Sequence, residues 1–434
     1  MTSDPERDGG SSQTGDERGP RRTTLFNQKG GVLLRPGGDG WLSYCMNVHP
    51  GESLGELEAS LLKAAKVREA LGVEEMGVGL WLSANAARAL RNEPDGVTRF
   101  KERLAKENLK PYTVNAFPYG GFHGETVKRD AFRPDWREMA REDYTVDVAN
   151  VLAGLLEEDE VGSISTLPVS YKMFSEPKGA IDRLCHMAWR LNKIREEQGR
   201  EIVLALEPEP FGFLESTHEL VEFFKEEILI QGRDMLAATY RLNSLRVEEL
   251  LFRHLGVCFD TCHFAMQWEK LDESIASLTE LGVRIPKAQY SVALELEDPA
   301  NNPEGIKRLH KFAEQRWLHQ VVSWDGRKAE DLSEIFTEEG DLNEEWKSMR
   351  AFRVHFHVPI FWKGDDTLKT TRPELDGVSE LLLEAGCRHF EVETYSWDVI
   401  PEKERAAFGG DLTELIAREI REAAELMPAE VSAG

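Results

Sequence analysis

Four apolar runs in this chain end in an acid or an imidazole. The run 255–259 leads into Asp260, and His263 follows three residues later. The run 202–206 leads into Glu207, Pro208 and Glu209; 352–357 carries His355 and His357; 389–393 carries Glu391 and Glu393. Glu207, Asp260, His357 and Glu393 together make three carboxylates and one imidazole, a donor set that suits divalent Mn, Mg, Co or Zn. Proton transfer beside a carbonyl needs a base, an acid and a cation that polarises the carbonyl. Glu207 and Glu393 fit the first two roles, and His263 would hydrogen-bond a substrate oxygen beside the metal. A strand alternates its side chains between two faces, so Asp260 and His263 meet only if the chain turns after Asp260. By the same rule His355 shares a face with His357, and Glu391 with Glu393. Each pair offers two candidates, and placement at strand tips selects His357 and Glu393. Any one of these acids alone reads as a salt-bridge partner, whereas four in one pattern favour a site.

Such side chains converge only if several strands deliver them to one end of a sheet. Strand-like runs at 41–47, 76–82, 112–117 and 163–167 precede the four above, with helical patterns between them. The first helix has Leu54, Leu57, Leu61, Leu62 and Ala65 on one face and stops at Gly72. Asn85 is placed to cap the second helix. Asp411 and Glu414 open the last one, with Leu412, Leu415, Ile416, Ile420 and Ala423 on its apolar face. Alternating strands and helices imply parallel pairing, and eight units close a barrel with its site at the C-terminal strand ends. The run 284–294 reads as a ninth strand. One strand is therefore expected to lie outside the barrel or to be irregular, either this run or a short early strand. Residues 295–350 read as a late insertion carrying His310 and His319. The expected architecture is a single α/β (β/α)8 barrel over 40–427, with a disordered tail at 1–30 and a frayed one at 428–434.

Composition narrows the partners. The 434 residues carry a net charge of -25, from 53 Lys+Arg against 78 Asp+Glu. Such a surface repels phosphate backbones, so nucleic acid is not an expected partner. No apolar run approaches the ~18 residues of a membrane span, so no membrane insertion is expected. The polar N-terminus lacks the apolar core of an export signal, so a cytoplasmic location is expected. Five cysteines, odd and sparse, argue against a disulfide framework. His49, Asn115, His123 and Lys172 lie at strand ends or in adjoining loops and are candidate contacts for a small polar metabolite. Isolated polar residues of this kind more often cap helices or bond loops. Trp81, Phe117, Tyr119, Phe122, Trp362 and Trp397 can wall a pocket or pack the core.

The short motifs Leu-Glu-Pro at 206–208, Cys-Phe-Asp-Thr-Cys-His at 258–263, His-Phe-His at 355–357 and Val-Glu-Thr at 392–394 resemble the xylose-isomerase-like barrel superfamily. That group holds sugar isomerases, ketose 3-epimerases and an abasic-site endonuclease. The resemblance implies a metal held by Glu207, Asp260, His357 and Glu393, with His263 on the substrate side. Three longer signatures look like the EboE-type metabolite traffic proteins: Tyr-Cys-Met-Asn-Val-His-Pro-Gly-Glu at 44–52, Asn-Ala-Phe-Pro-Tyr-Gly-Gly-Phe-His-Gly-Glu at 115–125 and Ser-Ile-Ser-Thr-Leu-Pro-Val-Ser-Tyr-Lys at 163–172. This second likeness covers about 42–400 and implies a role in moving a metabolite precursor, with other Ebo-type proteins as candidate partners. Three functions follow from the residues and the two likenesses: a metal-dependent isomerase or epimerase, a non-catalytic metabolite handover protein, and a phosphoester hydrolase.

Overall fold

The computed structural model describes residues 41–174 and 176–428; the expected N-terminal tail and the residues beyond 428 lie outside this range. Thirteen strands are present among the described residues. In chain order they are β1 (Trp41–Tyr44), β2 (Met76–Trp81), β3 (Leu109–Asn115), β4 (Val161–Thr166), β5 (Glu201–Leu206), β6 (Leu255–Asp260), β7 (Arg284–Tyr290), β8 (Val292–Glu297), β9 (Val321–Ser323), β10 (Lys328–Ala329), β11 (Ala351–Val358), β12 (Lys369–Thr370) and β13 (His389–Val392). Eight form one parallel sheet in the order β1-β13-β7-β6-β5-β4-β3-β2. A Cys45–Gly79 bridge joins β1 to β2 and all but closes the ring. Helices cover its outside, so the chain is an α/β protein with a (β/α)8 barrel.

The remaining five strands form an antiparallel sheet, β10-β9-β11-β8-β12. Here the structure corrects the strand count. The run 284–294 is neither wholly inside nor wholly outside the barrel. It divides at Ser291: β7 pairs in parallel with β6 and β13, while β8 pairs antiparallel with β11. The strand outside the barrel is the histidine-bearing β11, not a short early one. An alternating buried strand carries the same pattern whether its neighbour runs parallel or antiparallel, so the sequence could not separate the two.

Local signals explain the helices. Ser53 and Glu56 form a reciprocal capping box at the start of Leu54–Leu71, and Gly72 ends that helix at φ 72°. The next helix, Ala84–Asn92, is capped by Ser83, whose side chain accepts from the Ala86 N–H, rather than by Asn85. The last helix, Leu412–Leu426, sends Glu419 inward to accept from Thr394 Oγ1 at 2.7 Å and Trp397 Nε1 at 3.1 Å. This ties the helix to the loop after β13. Among the described residues no helix is long and apolar enough to cross a membrane. All five cysteines are free and buried.

The barrel interior is unusually polar below the site. Lys287 of β7 and Glu391 of β13 are fully buried and paired at 2.7 Å. Lys287 Nζ also donates to Ser165 Oγ at 3.1 Å, and the Tyr112 hydroxyl crosses to the Phe390 carbonyl at 2.7 Å. Burial works against the Lys287 ammonium, but Glu391 outweighs it and holds its pKa above the ordinary lysine value. Gly79 faces this pair, and a Cβ there would come within 1.5 Å of Glu391 Oε1. A buried pair of this kind is costly to break from one side, because the remaining charge has no partner. Lys287→Met should therefore cost about 3–5 kcal/mol, and Lys287→Met combined with Glu391→Leu should recover most of it. Urea unfolding of the two single variants and the double variant checks this; strictly additive losses would refute it.

Candidate metal centre

Three carboxylates reach the barrel mouth from three strand ends. Glu207 follows β5, with its N–H on the Thr166 carbonyl at 2.9 Å. Asp260 ends β6 and caps the short helix Thr261–Met266, its Oδ1 accepting from His263 N at 3.1 Å and from Ser291 Oγ at 2.6 Å. That helix is the turn that carries His263 back over the site. Glu393 follows β13, and its Oε1 accepts from Asn47 Nδ2 at 2.7 Å and Asn115 Nδ2 at 3.0 Å. One oxygen from each of these three acids lies within 4.8 Å of the others. Glu207 Oε2, Asp260 Oδ2 and Glu393 Oε2 are buried and have no hydrogen-bond partner. Three orphaned anionic oxygens facing one another out of water are the surroundings a divalent cation would satisfy.

The imidazoles complete the picture. His357 Nδ1 lies 2.8 Å from the Glu393 carbonyl oxygen, and His355 Nδ1 lies 2.7 Å from Gln320 Oε1. The Gln320 amide is oriented by its own donations from Nε2 to Glu209 Oε1 and the Pro210 carbonyl, both at 3.2 Å. Both Nδ1 atoms face acceptors and so carry the protons, which leaves lone pairs on Nε2. The Nε2 atoms of His263, His355 and His357 form a triangle with edges of 3.0, 3.1 and 3.3 Å. Three nitrogens bound at ~2.1 Å to one ion stand about 3.0–3.4 Å apart, so the triangle has the dimensions of a ligand face. His319, buried in the inserted region, donates from Nδ1 to the His355 carbonyl at 2.9 Å and pairs through Nε2 with Glu314 Oε1 at 2.9 Å, and so steadies the strand behind His355. His310 packs instead against Phe336.

The electrostatics match an uncompensated cluster of acids. Burial, and after it Asp260, pushes Glu207 up to about 8. Burial, then Glu207 and Asp260, pushes Glu393 well above the carboxylate range. Burial and the neighbouring imidazoles push His263 and His355 well below the ordinary histidine value. Cys262 also comes within 4.8 Å of His355 and His357, but burial and Asp260 keep its thiol protonated.

Each residue singled out in the sequence can now be placed. Glu207, Asp260, His263, His357 and Glu393 come together, and Asn115 stands among them as a support for Glu393. His49, His123 and Lys172 do not line the cavity. His49 is buried beside the Tyr44 hydroxyl at 3.2 Å. His123 packs against Trp81 and Phe122, with ring centroids 5.3 and 5.4 Å away. Lys172 is exposed and paired with Glu215 and Glu219. His355, set aside above in favour of His357, also faces the centre, and Gln320, Glu209 and Asn47 join the site without being candidates in the sequence. The spacing of two puts both histidines on one face, and the structure turns both imidazoles to the centre rather than His357 alone. Nothing in the sequence marks Gln320 as a partner of His355.

No family model matches the chain, and no curated protein matches it. Among solved structures it is similar to a xylose isomerase-like TIM barrel protein from Mycobacterium smegmatis in complex with magnesium, at 11% identity and TM-score 0.48, over 91% of this chain and 98% of that one. It is similar to an L-ribulose 3-epimerase at 11% identity and TM-score 0.43, over 90% and 94% of the two chains. It is also similar to the IOLI protein with a bound zinc atom, at 10% identity and TM-score 0.43, over 89% and 98%. These neighbours are xylose isomerase-like barrels; the barrel assignment here rests on the strand order and ring closure described above.

Asn47 and Asn115 both aim Glu393 by holding its Oε1 and leaving Oε2 free. Partners of this kind are worth about 10–100-fold in metal affinity. Asn47→Ala and Asn115→Ala should each weaken manganese or zinc binding by that factor with circular dichroism unchanged. Competition titration against a fluorescent chelator measures it, and unaltered affinity in both variants would count against the assignment.

Proposed function

We propose that the chain is a divalent-metal-dependent barrel protein of the isomerase or epimerase type that handles a small polar metabolite, of the EboE metabolite traffic kind. The observation that carries this reading is the pair Glu207 and Glu393, three strands apart around the barrel, each with a free oxygen facing one buried centre. Glu207, Asp260, His357 and Glu393 would hold the ion, with His263 and His355 on its imidazole side. Three imidazoles beside three carboxylates favour Mn, Co or Zn over Mg. A bound cation would polarise a substrate carbonyl and stabilise charge on its oxygen. Glu207, on one side of the centre, would take a proton from the adjacent carbon. Glu393 would return a proton from the other side, its direction fixed by Asn47 and Asn115. His263, anchored through its N–H to Asp260, would hold a substrate oxygen.

The long EboE-like signatures support the same site. They lie at the C-terminal ends of β1, β3 and β4, and two of their residues, Asn47 and Asn115, grip Glu393. The -25 net charge disfavours a nucleic-acid phosphoester as substrate.

Elemental analysis of purified protein should find Mn, Co or Zn near one equivalent, lost in Glu207→Ala and His357→Ala. The loaded protein should exchange the carbon-bound protons of a small hydroxyketone with deuterated solvent, and Glu393→Gln should abolish exchange while keeping the fold. Metal retained with no exchange on any of a panel of ketoses and hydroxyketones would leave handover without turnover as the function.

A further inference from the structure

The metal-ligand cluster is the floor of a cavity with about 60 Å³ of free space. Its walls differ sharply from that floor. Phe117, Phe122, Phe132, Trp317 and Tyr395 line them. Phe122, Trp317 and Tyr395 pack on one another with ring centroids 5.0–5.4 Å apart, and Tyr395 also meets the His357 ring at 4.8 Å. Phe117 and Phe132 pair edge to face at 5.3 Å. The aromatic wall therefore runs from the metal-side imidazole outward.

Most polar side chains in that wall are committed to the protein; the Tyr395 hydroxyl, the second Glu209 oxygen and His263 Nδ1 are not. Trp317 Nε1 donates to the Phe122 carbonyl at 3.2 Å. Lys128 Nζ donates to the carbonyls of Glu314 (3.2 Å) and Trp317 (2.6 Å) and to Asp331. Gln320 is held by Glu209, Pro210 and His355, and the Asn47 and Asn115 amides by Glu393. Asn47 Oδ1 is buried without a partner and can accept one hydrogen bond. These few groups lie near the floor, so a ligand hydroxylated along its whole length would leave hydroxyls unpaired against the aromatic wall.

Resting on the metal reading above, we infer that the metabolite has one chelating, oxygen-bearing end and a flat apolar body, and is not a sugar hydroxylated along its length. The oxygens meet the cation, one O–H or N–H reaches Asn47 Oδ1, and the body stacks among Phe122, Trp317 and Tyr395. The free space is well below the ~150 Å³ of a cavity that takes up benzene. A ring is therefore admitted only if the roof shifts. That roof is the meeting of two loops, where Val127 and Lys128 N–H groups donate to the Arg316 carbonyl at 2.6 and 2.9 Å.

Isothermal titration of the manganese- or zinc-loaded full chain with paired probes tests this. Acetohydroxamate and benzohydroxamate share a chelating end and differ in the body, while D-fructose supplies a fully hydroxylated ketose. Benzohydroxamate should bind at least 10-fold more tightly than acetohydroxamate, with fructose weaker than both. Phe132→Leu and Trp317→Ala should each reduce that preference to 3-fold or less with metal content unchanged. Equal binding of the two hydroxamates, no binding of either to metal-loaded protein, or tighter binding of fructose would overturn the inference and leave the metal reading standing. Failure to take up metal would remove the metal reading and the inference with it.

Discussion

Much of this structure depends on how the chain leaves the barrel at Ser291. β7 is a barrel strand up to Tyr290, and one residue later β8 has joined a different, antiparallel sheet without an intervening helix. The crossing is pinned by hydrogen bonds. Ser291 N–H donates to Thr261 Oγ1 at 3.1 Å, Thr261 Oγ1 donates to the Ser291 carbonyl at 2.8 Å, and Ser291 Oγ donates to Asp260 Oδ1 at 2.6 Å. The same hydroxyl accepts from Cys262 N–H at 3.2 Å. One residue thus fixes the root of the second sheet to an acid of the site. Because β11 pairs with β8, the position of two histidines over the mouth follows from that anchor.

Charge is arranged in two levels. The lower one is neutral overall: Lys287 and Glu391 compensate each other deep in the barrel. The upper one, at the strand ends, gathers Glu207, Asp260 and Glu393, and among the described residues no lysine or arginine is bonded to them. Lys287 eases their mutual repulsion from below without reaching them. The orphaned carboxylate oxygens of Glu207, Asp260 and Glu393 therefore stay at the mouth, while beneath them the charges of Lys287 and Glu391 offset each other.

Above the acids, the inserted region acts as a wall. Trp317 and Gln320 come from it, as do the carbonyls that hold Lys128. A barrel without this region would keep the carboxylates and the β11 histidines but lose Gln320, the partner of His355, and Trp317, one face of the aromatic wall. The imidazole side of the site and part of its wall are thus built from chain that lies outside the eight barrel strands.

The sequence alone determined the barrel class, because alternating strand and helix patterns leave few ways to bury both faces of a parallel sheet. It also determined that Glu207, Asp260 and Glu393 would stand at strand ends, and that the chain must turn after Asp260 for His263 to join them. Only tertiary structure decided that the histidine strand belongs to the second sheet, since a strand's side-chain pattern does not state the direction of its neighbour. Tertiary structure also decided that both His355 and His357 face the centre, and that Glu391 turns inward to Lys287. A lysine within a strand reads as a surface residue until the partner about a hundred positions away is known. Lys172 shows the converse: a strand-end lysine that looked placed for an anion is taken up by Glu215 and Glu219 at the surface. Periodicity reports which residues share a face; which faces meet is settled by long-range pairing, and that is where this site is made.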